Sequence, residues 1–213
     1  MRRLAVLASG GGSLTDAVLA AAGRGDLPLE AVAVVTDRRS AGVLDVASRH
    51  GVTALCVAPA DHPDRAAWDA ALAATLRALR PDWVASLGFM RVLGPGVLAA
   101  FPDRILNTHP ALLPAFPGAH AVRDALAYGV AITGCTVHLV DEGVDTGPVL
   151  AQRAVDVRPG DDEAALHERI KEVERPLVVD VLATVARDGL RREAAGSRRL
   201  RPGPATAGYA RRP

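Results

Sequence analysis

Leu4-Ala5-Val6-Leu7-Ala8-Ser9-Gly10-Gly11-Gly12-Ser13 decides how the chain is read. The five apolar residues read as a short strand, the glycines as a sharp turn, and Ser13 as the N-cap of a helix over 13–22. A strand that passes through a glycine turn straight into a helix is a βα unit, and the alternation recurs outward from it. Short apolar runs at 31–35, 53–57 and 83–87 read as strands, and 41–50 and 65–79 as helices. Gly51 stands where a helix-ending glycine belongs, and Pro63-Asp64 is a helix-start signal. The strands are almost continuously apolar, as parallel strands covered on both faces are. The expected fold class is therefore α/β, a doubly wound, mostly parallel twisted sheet with helices on both faces.

After Phe101 the pattern changes. A short strand at 104–106 leads into a proline-rich loop, then a helix over 119–128, strands at 131–140 and 149–157, and a last helix over 162–187 in which Pro176 predicts a kink or break. No internal repeat or linker precedes residue 190, so residues 1–190 read as one catalytic domain. The remaining 191–213 read as a poorly packed Arg/Pro/Gly-rich tail.

The chain has 213 residues, of which 25 are basic and 24 acidic. Seven arginines and one acid fall in 191–213, which leaves the body with 18 basic and 23 acidic residues, a net of −5. A folded body that bound nucleic acid would carry the opposite balance. No apolar run approaches the ~20 residues of a membrane helix, and the N-terminus lacks a signal-peptide pattern. Cys56 and Cys135 sit in apolar runs without metal or redox spacing and read as buried small hydrophobes. These features point to a soluble, cytoplasmic protein without nucleic-acid or membrane partners. The absence of an obvious exposed apolar stripe points to a monomer or weak homodimer.

Three segments can carry chemistry. The Gly10-Gly11-Gly12-Ser13 turn exposes backbone amides at a helix start and reads as a site for a phosphate; the alternative is a tight turn with no ligand. It is neither a dinucleotide fingerprint, whose third glycine would fall at Thr15, nor a Walker loop, since no lysine follows. Asn107-Thr108-His109-Pro110 ends a strand, where α/β sheets bind ligands. Two residues apart on extended backbone, Asn107 and His109 share a face, so an amide donor and a titratable imidazole stand together; the alternative is a polar turn that bonds the proline-rich loop. The acidic run Asp141-Glu142-Gly143-Val144-Asp145-Thr146-Gly147-Pro148 reads by itself as a solvated hairpin loop. A carboxylate of that loop beside His109 would raise the imidazole pKa. His50 and His62 read as helix-end or surface residues, and His167 as solvent-facing. His120 and His138 could support the site residues from behind, although neither has a partner visible in the sequence. No histidine pair has metal-ligand spacing, so no metal is expected.

Taken together, Ala8-Ser9-Gly10-Gly11-Gly12-Ser13, Gly88-Phe89-Met90-Arg91-Val92-Leu93, the run Leu106-Asn107-Thr108-His109-Pro110-Ala111-Leu112-Leu113-Pro114-Ala115-Phe116-Pro117-Gly118, and Thr136-Val137-His138 followed by 141–148 resemble the phosphoribosylglycinamide formyltransferases. These are folate-dependent transformylases of purine synthesis within the formyltransferase superfamily. The resemblance extends from residue 3 to about 190 and implies a Rossmann-like formyltransferase fold. It implies transfer of a formyl group from the co-substrate 10-formyltetrahydrofolate to the amine of glycinamide ribonucleotide, without a metal. Asn107 would stabilise the oxyanion, His109 would act as general acid, and Asp145 would raise the His109 pKa and relay protons. Gly12 and Ser13 would hold the phosphate and Glu174 the ribose. Met90, Arg91, Val92 and Leu93 would line the pterin pocket, with Arg65, Asn107, Asp141 and Asp145 also on the folate side. The Leu113-Pro114 bond would be cis.

One departure stands out. Relatives follow the loop's Gly-Ser or Gly-Thr with Asn-Leu, whereas this chain has Leu14-Thr15, so Thr15 or a backbone amide must serve the acceptor instead. A formyltransferase for another phosphorylated or sugar-nucleotide amine is therefore the enzymatic alternative, and a non-catalytic folate- or nucleotide-binding module the other. Methionyl-tRNA formyltransferases add a C-terminal domain and formyltetrahydrofolate hydrolases an N-terminal one; neither is expected here.

Overall fold

In a computed structural model that describes residues 1–192 and 200–202, side chains along the first strand, β1 (Arg2–Leu7), alternate between two cores. Leu4 and Val6 face one cluster; Ala5 and Leu7 face the other. That period-two division is what a central strand buried on both sides imposes. β1 passes through the glycine turn into α1 (Ser13–Gly23), and the alternation continues through β2 (Leu29–Thr36), α2 (Val43–Arg49), β3 (Ala54–Cys56), α3 (Arg65–Leu79), β4 (Trp83–Ser86), α4 (Pro95–Ala100) and β5 (Ile105–His109). α5 (Ala121–Tyr128) then leads to the antiparallel pair β6 (Ile132–Leu139) and β7 (Val149–Asp156), and α6 (Glu163–Asp188) returns along the sheet. The sheet has seven strands in the order β3-β2-β1-β4-β5-β6-β7, parallel except where β6 pairs with β5 and β7.

One core packs α1, α2 and α6 on the sheet, with Val18, Leu166, Ile170 and Leu182 fully buried. The other packs α3 and α4 on the opposite face through Trp68, Leu72, Leu76 and Val97. Trp68 also donates its indole N–H to the Val57 carbonyl at 2.8 Å and stacks on Phe89. The fold class read from the sequence is thus the one observed.

Several local expectations are corrected. Gly12, not Ser13, is the N-cap of α1; it adopts φ 80°, and no side chain caps that end. Asp64 does cap α3, accepting from the Ala67 N–H at 2.8 Å. α6 runs through Pro176 as one helix, because its apolar face is buried on both sides of that residue and packing outweighs one lost backbone bond. α4 has no counterpart among the elements read from the sequence; Pro95 sits in its first turn, where the missing N–H costs nothing. Cys56 is exposed and only Cys135 is buried, because β3 is an edge strand. In the Arg-rich tail β8 (Leu190–Arg192) pairs with β9 (Leu200–Pro202); residues 193–199 and 203–213, on which most of the tail reading falls, lie outside the described residues. Among the described residues no helix is long and apolar enough to cross a membrane.

Strand order reverses between β1 and β4. At such a switch point the connections leave on opposite faces and open a crevice beyond the carboxyl ends of the strands. Here the glycine turn follows β1 and the 87–93 segment follows β4. Ser9 ties the two together: its N–H donates to the Gly88 carbonyl at 3.1 Å and its hydroxyl accepts from the Met90 N–H at 2.9 Å. α2 presses on the glycine turn from behind, with the Val43 N–H on the Gly10 carbonyl at 3.0 Å. A Cβ on Gly12 would lie 2.8 Å from Val43 Cγ2, in a left-handed conformation as well. Gly12→Ala should therefore destabilise the protein by about 2 kcal/mol or more, a fall of roughly 4–8 °C in Tm. Gly10→Ala, whose Cβ would meet nothing within 4 Å, should stay within about 1 °C. Calorimetry of the two variants checks this, and equal Tm values would refute it.

Candidate active site

The crevice is a cleft of about 570 Å³ lined by the glycine turn, the segment after β4, the end of β5, the 141–145 loop and one face of α6. Its floor is a cluster of four polar side chains. Asn107 and His109 alternate along β5 and both line the cleft. His138 stands directly opposite Asn107 across the antiparallel β5–β6 ladder. Asp145 comes from the connection between β6 and β7 and adopts φ 55°, a left-handed conformation that aspartate tolerates better than most residues. Gly147 lets that loop fold back, since a Cβ there would fall 1.8 Å from the Leu139 carbonyl oxygen.

Asp145 organises the cluster. One carboxylate oxygen accepts the Gly118 N–H at 2.8 Å and faces His109 Nδ1 at 3.3 Å. The other faces His138 Nε2 at 3.5 Å and the Asn107 amide nitrogen at 3.4 Å. Burial raises the Asp145 pKa, but the Gly118 N–H and the neighbouring imidazoles of His138 and His109 outweigh it, and the net shift is downward. Asp145 is thus an anion at neutral pH.

His109 is 4% exposed, and both its ring nitrogens face acceptors: Nε2 lies 2.7 Å from the Phe116 carbonyl oxygen and Nδ1 faces the carboxylate. Only the doubly protonated ring donates to both. Burial nevertheless dominates and pushes the pKa down, against the upward pulls of Asp145 and the Phe116 carbonyl. The upward pull of Asp145 is the one the sequence reading expects; burial, which the sequence does not show, turns the net shift downward.

His138, for which the sequence shows no partner, finds its partners here. It is 2% exposed, with Nδ1 2.8 Å from the Leu139 carbonyl oxygen. That contact places the proton on Nδ1 and leaves Nε2 as an acceptor for the Asn107 amide at 3.1 Å. The signal that would have found it is the pairing of residue 107 with 138, which becomes visible only once β6 is known to run antiparallel to β5.

The remaining candidates divide. Gly12, Ser13 and Leu14 line the cleft, as do Met90, Arg91, Val92, Leu93, Asp141 and Glu174. Thr15 does not: it is fully buried and its hydroxyl has no partner. Asp141 accepts from the Gly143 N–H at 3.1 Å and the Thr146 hydroxyl at 2.6 Å, so it shapes the loop as well as lining the cleft. Glu174 is 3% exposed, and burial lifts its pKa to about 7. Arg65 lies outside the main cleft, donating to the Val92 carbonyl and covering the Trp68 ring. It lines an adjoining recess of about 320 Å³ with His62, Trp68 and Arg91. Arg91 belongs to both cavities and pairs through Nε with the buried Asp37 at 2.9 Å. His167 is half-buried in the cleft wall rather than solvent-facing, and Lys171, the only lysine of the chain, lies one turn further along α6. The Leu113-Pro114 bond is cis.

The formyl transferase family model matches residues 2–182. A phosphoribosylglycinamide formyltransferase of Mycobacterium tuberculosis is 56% identical over 188 residues, covering 88% of this chain and 86% of that protein. Its Bacillus subtilis namesake is 36% identical over 174 residues, covering 82% and 89%. Among solved structures, glycinamide ribonucleotide transformylase 1 from Symbiobacterium toebii superimposes with a TM-score of 0.92 at 44% identity, covering 96% of this chain and 95% of that one.

The geometry of the floor makes a testable statement about titration. Asp145 is the anion that favours the His109 imidazolium, so Asp145→Asn should move the His109 titration to still lower pH. NMR of the imidazole Cε1–H across pH 4–8 measures it, and an unmoved titration would break the coupling.

Proposed function

The chain belongs to the formyl transferase family, and we propose that it transfers the formyl group of 10-formyltetrahydrofolate to the amine of glycinamide ribonucleotide, a step of purine biosynthesis. The observation that carries this reading is the floor cluster. Asn107, His109, His138 and Asp145 meet where an anion loop on one side of the cleft faces an apolar wall with a cationic recess on the other. The transfer is assigned to residues 1–190, with the 191–213 tail outside it, acting in the cytoplasm as a monomer or weak homodimer. Neither nucleic acid nor membrane takes part.

The cleft suits both substrates. Val92, Leu93, Val140 and Val144 give the flat rings of a folate an apolar wall, with backbone polar groups of the 90–93 segment within it. Arg91 and Arg65 lead from that wall into the smaller recess with His62, where a folate's acidic tail would find cationic partners. The glycine turn and Ser13 would receive the ribonucleotide phosphate on backbone N–H groups, with Lys171 adding charge from α6. Glu174, beside Thr108 at the end of β5, would accept from the ribose hydroxyls.

Formyl transfer forms one C–N bond, breaks another, and moves one proton from the acceptor nitrogen to the departing nitrogen. A negative oxygen develops in between. His138 holds the Asn107 amide so that one N–H is fixed on Nε2 and the other rests on Asp145 at the longer 3.4 Å. The longer contact is the one given up when Asn107 donates to the oxyanion. His109 supplies the proton: its acid form is matched by hydrogen bonds on both sides, while burial makes it release the proton readily. Asp145 holds the counter-charge and returns a proton path to the ring.

Turnover with 10-formyltetrahydrofolate, followed in the folate spectrum, should require glycinamide ribonucleotide. Deformylation independent of the ribonucleotide would overturn the acceptor assignment. Asn107→Ala and His109→Ala should each lose at least ~10²–10³ in kcat with far-UV CD unchanged. Near-wild-type turnover in either would remove that residue from the chemistry.

A further inference from the structure

The glycine turn offers an anion its backbone N–H groups and the Ser13 hydroxyl, and then its resources end. Leu14 is apolar, and the Thr15 hydroxyl is buried away from the cleft. A phosphate monoester dianion has three terminal oxygens that take strong hydrogen bonds, so further donors must come from across the cleft. The facing wall is α6. Glu163, His167, Lys171 and Glu174 recur at helical spacing on one face, and all four line the cleft. The two cation-forming residues of this stripe are adjacent, one turn apart, and His167 makes no hydrogen bond among the described residues.

We propose that His167 is a specificity-determining residue for the acceptor: it donates to the phosphate held on the 10–13 loop, in place of the side chain that residue 14 lacks, and takes up a proton as the dianion binds. The proposal rests on the reading of that loop as the phosphate site. Before binding, burial first and Lys171 second keep the His167 pKa below its ordinary value, against the pull of Glu168 and Glu163. Most charges of the elements packed on α6 are paired elsewhere. Asp16 on α1 pairs with His50 and Arg49, and Arg123 of α5 pairs with Asp124. On β7 the Arg153 guanidinium donates to the Gln152 carbonyl and Asp156 is exposed. His138 of β6 is held by Asn107 and Leu139. His120, at the start of α5, is the remaining imidazole of the cleft near that end. A dianion beside His167 adds a strong negative charge and shifts the balance in favour of the imidazolium.

The probe is ribose 5-phosphate, with ribose as control, added to the full chain. Wild type and His167→Gln are compared, and the amides of Gly12 and Ser13 and the histidine Cε1–H signals are followed by NMR from pH 5.5 to 8.5. In wild type the loop amides should shift, and the signal missing in His167→Gln should titrate about one pH unit higher with the probe bound. The phosphate loses its own second proton near pH ~6, so the comparison that counts is between the two proteins. Affinity should fall up to ~10-fold more steeply with rising pH in wild type than in His167→Gln. Loop amides that shift while the His167 titration and the pH slopes stay equal would overturn this proposal and leave the phosphate loop standing. No response of the loop amides to ribose 5-phosphate, in a protein that still binds the folate, would overturn the phosphate-loop reading and the proposal with it.

Discussion

The Asp145 carboxylate holds the floor of the cleft together. It lies on a hairpin loop, yet it touches β5 through Asn107 and His109, β6 through His138, and the proline-rich loop through the Gly118 N–H. Only the Gly118 N–H makes a short charge-assisted bond, and the other contacts are longer. Their joint effect is geometric, because four segments that sequence separates by up to 38 residues are fixed to one another by a single buried anion. The positive φ at Asp145 and the glycine at 147 are the backbone conditions that let the loop reach in. The lowered carboxyl pKa is the electrostatic one.

Much of this was legible in the sequence, for identifiable reasons. Strand–glycine–helix at residues 4–22 is a local signal, and parallel topology follows from its repetition. Asn107 and His109 declare a shared face through their spacing of two. What sequence could not show depends on distant neighbours. The cross-strand position of His138 needs the direction of β6. The net fall of the His109 pKa needs its burial, which overrides the visible carboxylate. The inward face of α6 needs the packing of Leu166 and Ile170 against the sheet, which turns His167 from solvent to cleft. Thr15 illustrates the reverse case: a polar residue in the right place along the chain that the helix phase points into the core.

The two ends of the cleft differ in how they are built. On the side proposed for the folate, main-chain groups of the 90–93 segment are braced from behind by α3: Trp68 stacks on Phe89 and Arg65 holds the Val92 carbonyl. Buried Asp37 restrains Arg91 through its Nε, leaving the rest of the guanidinium toward the two cavities. Such a surface is rigid before any ligand arrives, so little ordering cost remains to be met on binding. On the side proposed for the phosphate the support is asymmetric. The glycine turn is clamped by α2 through Gly42 and Val43, whereas the facing wall consists of long side chains on α6.

The antiparallel return of β6 and β7 carries a consequence for how the molecule can change. Asn107, His109, His138 and Asp145 all come from one continuous stretch of about 40 residues in β5, β6 and their connections, whereas the groups that face them across the cleft come from opposite ends of the chain, the turn after β1 and the face of α6. Substitution in the turn or on the helix face therefore leaves the hydrogen-bonded cluster whole. Under the proposed function, the identity of the acceptor can be altered at either end of the chain without disturbing the groups assigned to the transfer.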